Sequence, residues 1–547
     1  MRFVTVAFSF LLAFTPSLLF AQDRTDDGQS ANEVYLPQLL QDNPNASIFY
    51  NALVATGLKD TLQKYLDPNY PGVDYEWTIR ALLDNYYGIH RNETAYETGS
   101  NADRIAKPER REFKYTMFVM PDTALANYSD KYTATAGLNG IHNLAELKRY
   151  AETVYPQGAG QDDKSRTSSL NMFLSYHILP CWLSYDQFNT SQTDIIYRRL
   201  YLTELDVEDF FETLLPHSIM RISTPYSEDL AGYAMGIYIN RKGTKSTGLV
   251  AEGARIARTA SDYNMADNHT NICTNGGYHY INKLLVYDNY TRDIVLNTRI
   301  RVMSCTLSPD FINSGARGRL RGTDSNVNID RMVMAFEPGY CKNVEWSEET
   351  RFYVRYRDKT FGTYYGDEMT IRGKFDITFR LPSVPADGLY EIRIWNNSMS
   401  GSASQADRGS LLFYIGKEDE GFIPCGTPVN TTLALNDPRI ANLPDNIDAQ
   451  EKMDAIVAND IELHKLGYMK APDSYTNSTS SDNTGESIRN SRECYRKIVC
   501  EQYLEAGKDY YLRLRQAADL DAVFAFNFIE IVPYSVYSGE NGPEDLH

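Results

Sequence analysis

Hydrophobic and polar positions change their period twice along this chain. After a polar leader, Ile48, Phe49, Leu53, Leu58 and Leu62 fall at near-helical spacing behind a capping residue, Ser47, with Gly57 as an interruption. Tyr115 to Met120 is instead a short apolar run with Thr116 and Val119, long enough for a buried strand and too short for a helix. Pro121 ends it, and Asp122 or Thr123 is placed to cap a helix beginning at Ala124. Between these stretches, about residues 64–112 read as an inserted helix and polar loop. Near Asn275-Gly276 a tight-turn signal precedes the alternation of a half-buried strand. From Arg299 the texture becomes one of short strands separated by Gly, Pro, Asn and Asp turns. The strands are expected at Arg331–Phe336, Arg351–Tyr356, Gly373–Leu381, Gly388–Trp395, Ser410–Ile415, Tyr510–Arg515 and Ala522–Val532.

Several of these stretches, in this order, resemble a fasciclin domain over about residues 35–290. Ser47 to Leu62 is similar to the family's entry helices, and Phe113 to Ala126 to its first signature, with Ala126 where Phe is usual. Leu170 to Pro180 resembles the Tyr-His helix ending. The series Leu214-Leu215, Tyr238–Asn240, Ala254–Ile256 and Asn275–Leu285 resembles the family's closing strands. The second half looks like a galactose-binding-type jelly roll, as in carbohydrate-binding modules. Phe375–Phe379, Pro385–Ile394, Arg408–Tyr414, Tyr510–Leu514 and Phe526–Pro533 carry that likeness. The fold expected is therefore an α+β fasciclin domain (residues 35–290, insertion about 64–112) followed by an all-β jelly-roll sandwich with a partly helical insertion. The sandwich spans 295–537 and its insertion about 436–497. This pairing looks like surface proteins of Bacteroidetes that accompany glycan-uptake systems.

Residues 1–21 read as a secretory signal: Arg2, an apolar middle, and Ala21 before a polar stretch. Pro16 and the break at Thr15 to Ser17 disfavour an uncleaved anchor, which wants about 20 apolar residues. No later stretch is long and apolar enough to span a bilayer. Residues 22–34 read as a disordered leader. The expected location is the periplasm, the outer cell surface or the medium. A net charge of −18 over 547 residues argues against nucleic acid and against docking on anionic lipid. Forty Tyr favour sheets and polar recognition surfaces. The seven Cys leave at least one unpaired within the chain, and none stands in a Cys-x-x-Cys pair. Cys494 and Cys500 are close enough in sequence for a local disulfide, and buried thiols are an equal reading.

Candidate chemistry is sparse. No nucleophile elbow, phosphate loop or zinc helix occurs. Close carboxylates such as Glu418 with Glu420, or Glu208 with Asp209, read as solvated surface rather than a glycosidase pair. His269, Cys273 and His279 do not fit a common zinc spacing. No cofactor is expected, with calcium in the sandwich left open. Tyr176 and His177 match a motif linked to adhesion in the family, and a buried, hydrogen-bonded pair is the preferred reading. Ligand-binding candidates are Trp395 and Asn396, at a strand end, and Tyr364 and Tyr365, in a Gly-bracketed turn. Aromatic faces suit sugar C–H groups, and residence in a core or interface weighs equally against them. The expectation is a non-catalytic surface protein binding carbohydrate, as accessory to a polysaccharide-capture system. The alternative is an adhesion or scaffold protein binding other proteins through the fasciclin domain.

Overall fold

The computed structural model describes residues 33–72, 105–106, 108–188, 207–224, 236–243, 248–257, 271–317, 333–356, 367–398, 408–440, 450–472, 489, 493–540 and 544. The architecture is mixed, with helices concentrated before residue 180 and several largely antiparallel sheets through the rest. Among the described residues, no helix is long and apolar enough to cross a membrane.

At the centre of the N-terminal part lies a four-stranded sheet (sheet 1). Its order is Ile178–Leu179, Tyr115–Val119, Gly276–Tyr280 and Ile272–Cys273. The two middle strands are parallel, Tyr115 opposite Gly276 and Val119 opposite Tyr280. Gly276 is required there. Its φ is 128°, and a Cβ would stand 1.9 Å from the Tyr115 carbonyl oxygen. Asn275, fully buried, accepts from Leu36 N–H and donates to the Leu62 and Lys64 carbonyls, tying the entry helices to this sheet. The helix Ser47–Thr56 ends at Gly57, whose φ of 70° suits a C-cap. Its N-terminus differs from expectation. Ser47 is the first helical residue, and the cap is the Asp122 carboxylate, which accepts from Ser47 N–H and Ile48 N–H at 2.9 and 3.3 Å. Asp122 therefore caps a neighbouring helix rather than its own.

Sheet 2 is a meander of Val207–Glu212, Ile219–Thr224, Ile237–Ile239 and Ala254–Ile256. Three five-stranded sheets form the C-terminal part. Sheet 3 runs Ile105–Ala106, Val333–Phe336, Thr350–Tyr356, Asp367–Gly373 and Ala522–Phe526. Sheet 4 runs Ile300–Met303, Phe528–Pro533, Gly388–Asn397, Cys494–Leu504 and Tyr468–Lys470. Sheet 5 runs Val344–Trp346, Asp376–Arg380, Tyr510–Gln516, Ser410–Lys417 and Ile423–Asn430. Alternation explains the packing. Ile377 and Phe379, Leu512 and Leu514, and Leu411, Phe413 and Ile415 are all buried, with half-buried or exposed residues between them.

The apolar residues form two large cores that divide near residue 290, yet the division is not clean. Phe210 and Ile219 of sheet 2 belong to the C-terminal core, whereas Phe211 and Met220 belong to the N-terminal one. Nor is the stretch from Asp288 to Met303, where the texture changes, an open linker. Thr291–Leu296 is helical with Val295 and Leu296 buried, and Ile300–Met303 is a fully buried strand of sheet 4. The ends of the expected 64–112 insertion are anchored too. Tyr70 donates to Glu337, and Arg111 donates to the Tyr340 carbonyl while pairing with Asp67.

The second insertion ends earlier than expected. It holds a helix, Gln450–Lys465, but Cys494–Lys497 opens an 11-residue strand paired with Gly388–Asn397. That strand also removes the local disulfide. Cys494 and Cys500 lie six residues apart on it, about 20 Å at strand rise, far beyond a disulfide's reach.

Candidate functional site

The expected site residues separate sharply. Trp395 is not at a loop mouth. The strand Gly388–Asn397 continues past it, the side chain is 1% exposed, and its ring packs on Phe528 at 5.2 Å. A ring so enclosed offers no face to a sugar, which corrects its reading as a stacking residue. Asn396 is likewise buried, donating to the Thr431 carbonyl. Tyr364 and Tyr365 lie outside the described residues.

Tyr176 and His177 are both fully buried. Tyr176 donates to the Ile219 carbonyl and accepts from Asn240. His177 donates from Nδ1 to the Phe173 carbonyl at 2.9 Å and accepts the Leu285 N–H on Nε2 at 3.1 Å. That pattern uses both nitrogens of a neutral ring. Burial pushes its pKa down to about 4, against the pull of the Phe173 carbonyl. His279 is held in the same way, burial lowering it to about 4 while Nε2 bonds the Leu183 carbonyl and the ring stacks on Trp182. His269 lies outside the described residues, among which no His, Cys, Asp and Glu group is arranged for a metal.

The close carboxylates do not face one another across a site. Glu208 pairs with Arg221, and Asp209 is buried against Arg317 while accepting the Met303 N–H. Glu420 sits with Lys417 in the turn joining the last two strands of sheet 5.

Buried charge is concentrated on one face of sheet 4. Glu530 is enclosed by Arg301 at 2.8 Å, Arg496 at 3.3 Å and Arg393 at 3.5 Å. Arg393 also holds Glu391 and Glu544, Arg299 holds Glu544, and His464 reaches Glu391 at 2.8 Å. Burial alone would raise the Glu530 pKa, but Arg496 and Arg301 hold it far below the usual carboxylate range. Arg496, buried and beside Arg299 and Arg301, falls to about 10. Each acid has a basic partner, so this is a ladder that joins strands and not an open receptor.

Partly exposed polar and aromatic groups gather on the outer face of sheet 5. Asp376, Thr378 and Arg380 alternate outward on one strand, Tyr511, Arg513 and Arg515 on the next, and Leu412 and Tyr414 on the third. Register aligns Thr378, Arg513, Tyr414 and Pro424 in one row, and Arg380, Tyr511 and Gly416 in the row beside it. Arg513 forks onto Asp376 with bonds of 2.7 and 2.5 Å. This bond, opposed by partial burial, raises the guanidinium pKa further. The guanidinium carbon lies 5.8 Å from the Tyr414 ring centre and 5.7 Å from that of Phe422. Phe422 is 40% exposed and lies over Gly416, where a Cβ would come within 2.9 Å of its ring. Tyr511 stands among carboxylates: partial burial, then Asp509, with Glu418 and Glu345 further off, raises its pKa against the pull of Arg380. At one end Arg380 reaches Glu212 of sheet 2, closing the face against the N-terminal part.

This grouping was missed because its residues fall in runs that serve first to define strands. The signal was present in the alternation of Tyr511, Arg513 and Arg515 with buried Leu512 and Leu514.

No family model matches the chain, and no curated protein matches it. Among solved structures, the chain is similar to the mosquito-larvicidal Cry4Aa toxin from Bacillus thuringiensis at 11% identity, over 75% of this chain and 67% of that one. The TM-score of that likeness is 0.18, too low to bear on fold or function.

Proposed function

We propose that this protein is an exported, non-catalytic binding protein that takes carbohydrate on the outer face of sheet 5. The observation that carries this reading is Arg513, forked onto Asp376 and flanked by the half-buried ring of Tyr414 and the exposed ring of Phe422. Aromatic faces accept the C–H side of a pyranose, and a fixed guanidinium and carboxylate answer its hydroxyls as donor and acceptor. The outward row crosses four strands, about 14 Å at ordinary strand spacing, which suits a short oligosaccharide rather than a deep pocket. The likeness to fasciclin and jelly-roll modules, and the signal read at residues 1–21, support a role for such a binder in a bacterial polysaccharide-capture system.

Binding should be weak, because sugar hydroxyls give up water before gaining protein partners. Calorimetric titration of the full chain with fragments of host and plant polysaccharides tests the reading. Phe422→Ala or Tyr414→Ala should lower affinity by about 1–3 kcal/mol, as for a stacking anchor. Unchanged affinity in folded variants would remove this face from the site. No glycan binding, with a protein ligand captured through residues 35–290, would instead favour the adhesion or scaffold reading.

A further inference from the structure

We infer that Cys425 and Cys500 are a disulfide-forming pair that clasps sheet 5 to sheet 4. Cys425 lies on the edge strand Ile423–Asn430 of sheet 5, opposite Phe413. Cys500 lies on Cys494–Leu504 of sheet 4, opposite Ile392. The two thiols are in hydrogen-bonding reach of each other, and both are half-buried. The strands press together at this point: a Cβ on Gly426 would stand 1.9 Å from the Val499 carbonyl oxygen. Gly426, with a φ of 66°, permits that approach, which brings the neighbouring cysteine backbones together as a short cross-link needs. The inference rests on this geometry and does not depend on what binds to sheet 5.

The pair is also polarised for exchange. The hydrogen bond from Cys500 lowers the Cys425 pKa, and the same contact, with burial, raises that of Cys500. Elsewhere burial pushes Cys181 and Cys273 up to about 12, which keeps those thiols protonated. With a disulfide oxidant the chemistry balances in two displacements. The Cys425 thiolate attacks one sulfur of the oxidant, forming a mixed disulfide and expelling one thiolate. Cys500 then loses its proton and attacks the Cys425 sulfur, expelling the second thiolate. The chain loses two electrons and two protons, and the oxidant becomes two thiols. The product fixes an edge strand whose leading residues, Phe422 and Ile423, are exposed, and it closes a long loop of the unfolded chain.

The full chain, treated with oxidised glutathione, denatured and alkylated, tests this. Two fewer thiols should react than the seven in the sequence, and peptide mapping should join Cys425 to Cys500. Cys500→Ser should stop at a single glutathione adduct on Cys425. Reductant should lower the melting temperature of the oxidised wild type and leave a Cys425→Ser/Cys500→Ser variant unmoved. Alkylation of all seven thiols after oxidation, or a cross-link between other cysteines, would overturn the inference.

Discussion

Phe210 and Phe211 are neighbours in the chain, and their rings enter different hydrophobic cores. Alternation along Val207–Glu212 sends one side chain to each face, and Ile219 and Met220 repeat the division on the next strand. One hairpin thus seals two cores. Asp209, between them in function, pairs with Arg317 and accepts from Thr306.

The two cores should therefore unfold together. Calorimetry should show one transition, and Phe210→Ala and Phe211→Ala should each cost about 3–5 kcal/mol and lower that same transition. Limited proteolysis should spare residues 288–303, where the backbone is helical or in a buried strand. Two separable transitions, or early cutting there, would contradict the shared hairpin.

His177 and His279 should make stability fall in mild acid. Each is depressed to about 4 from an ordinary 6.5, so between those values the unfolded chain binds more protons than the folded one. Their contribution is complete above 6.5 and is lost as pH drops towards 4, on the order of 3 kcal/mol for each ring. His177→Gln should start less stable and show a shallower loss across this window in denaturant titrations. A slope equal to that of wild type would mean that the ring is not buried neutral.

Glu530 is the hinge of the arginine ladder. Glu530→Gln leaves Arg301, Arg393 and Arg496 without their common counter-charge, at a cost of about 3–5 kcal/mol in chemical denaturation. A change under about 1 kcal/mol would show that water or Glu544 relieves the arginines.

Trp395 and Phe422 should behave in opposite ways. Trp395→Ala opens a cavity beside Phe528 and should cost about 3–5 kcal/mol. Phe422→Ala, on the outer face, should change stability by less than about 1 kcal/mol. Comparable melting temperatures for the two variants would reverse the assignment of core and surface.

Runs with one clear period were legible in the sequence. Tyr115–Val119, Ser410–Lys417 and Tyr510–Gln516 lie where apolar patterning put them, and Gly57 ends its helix. Cys494–Leu504 was not legible, because Arg496 and Lys497 are buried on it and break the pattern of a buried strand. Their acceptors, Glu530 and the Gly467 carbonyl, are distant in sequence. Trp395 was misplaced for a related reason: the polar Asn396 and Asn397 after it are buried strand residues, although they read as the start of a loop. The outer face of sheet 5 depends on the register of four strands, which no single segment contains.

The parallel pairing of Tyr115–Val119 with Gly276–Tyr280 also sets the order of events during synthesis. The middle of sheet 1 waits for a partner more than 150 residues downstream, and the hairpin at 207–224 waits for the C-terminal core that encloses Phe210. Contacts of such long range close slowly, because loop entropy is lost before any pairing is gained. In a nascent chain these two contacts can form only after their distant partners have been made.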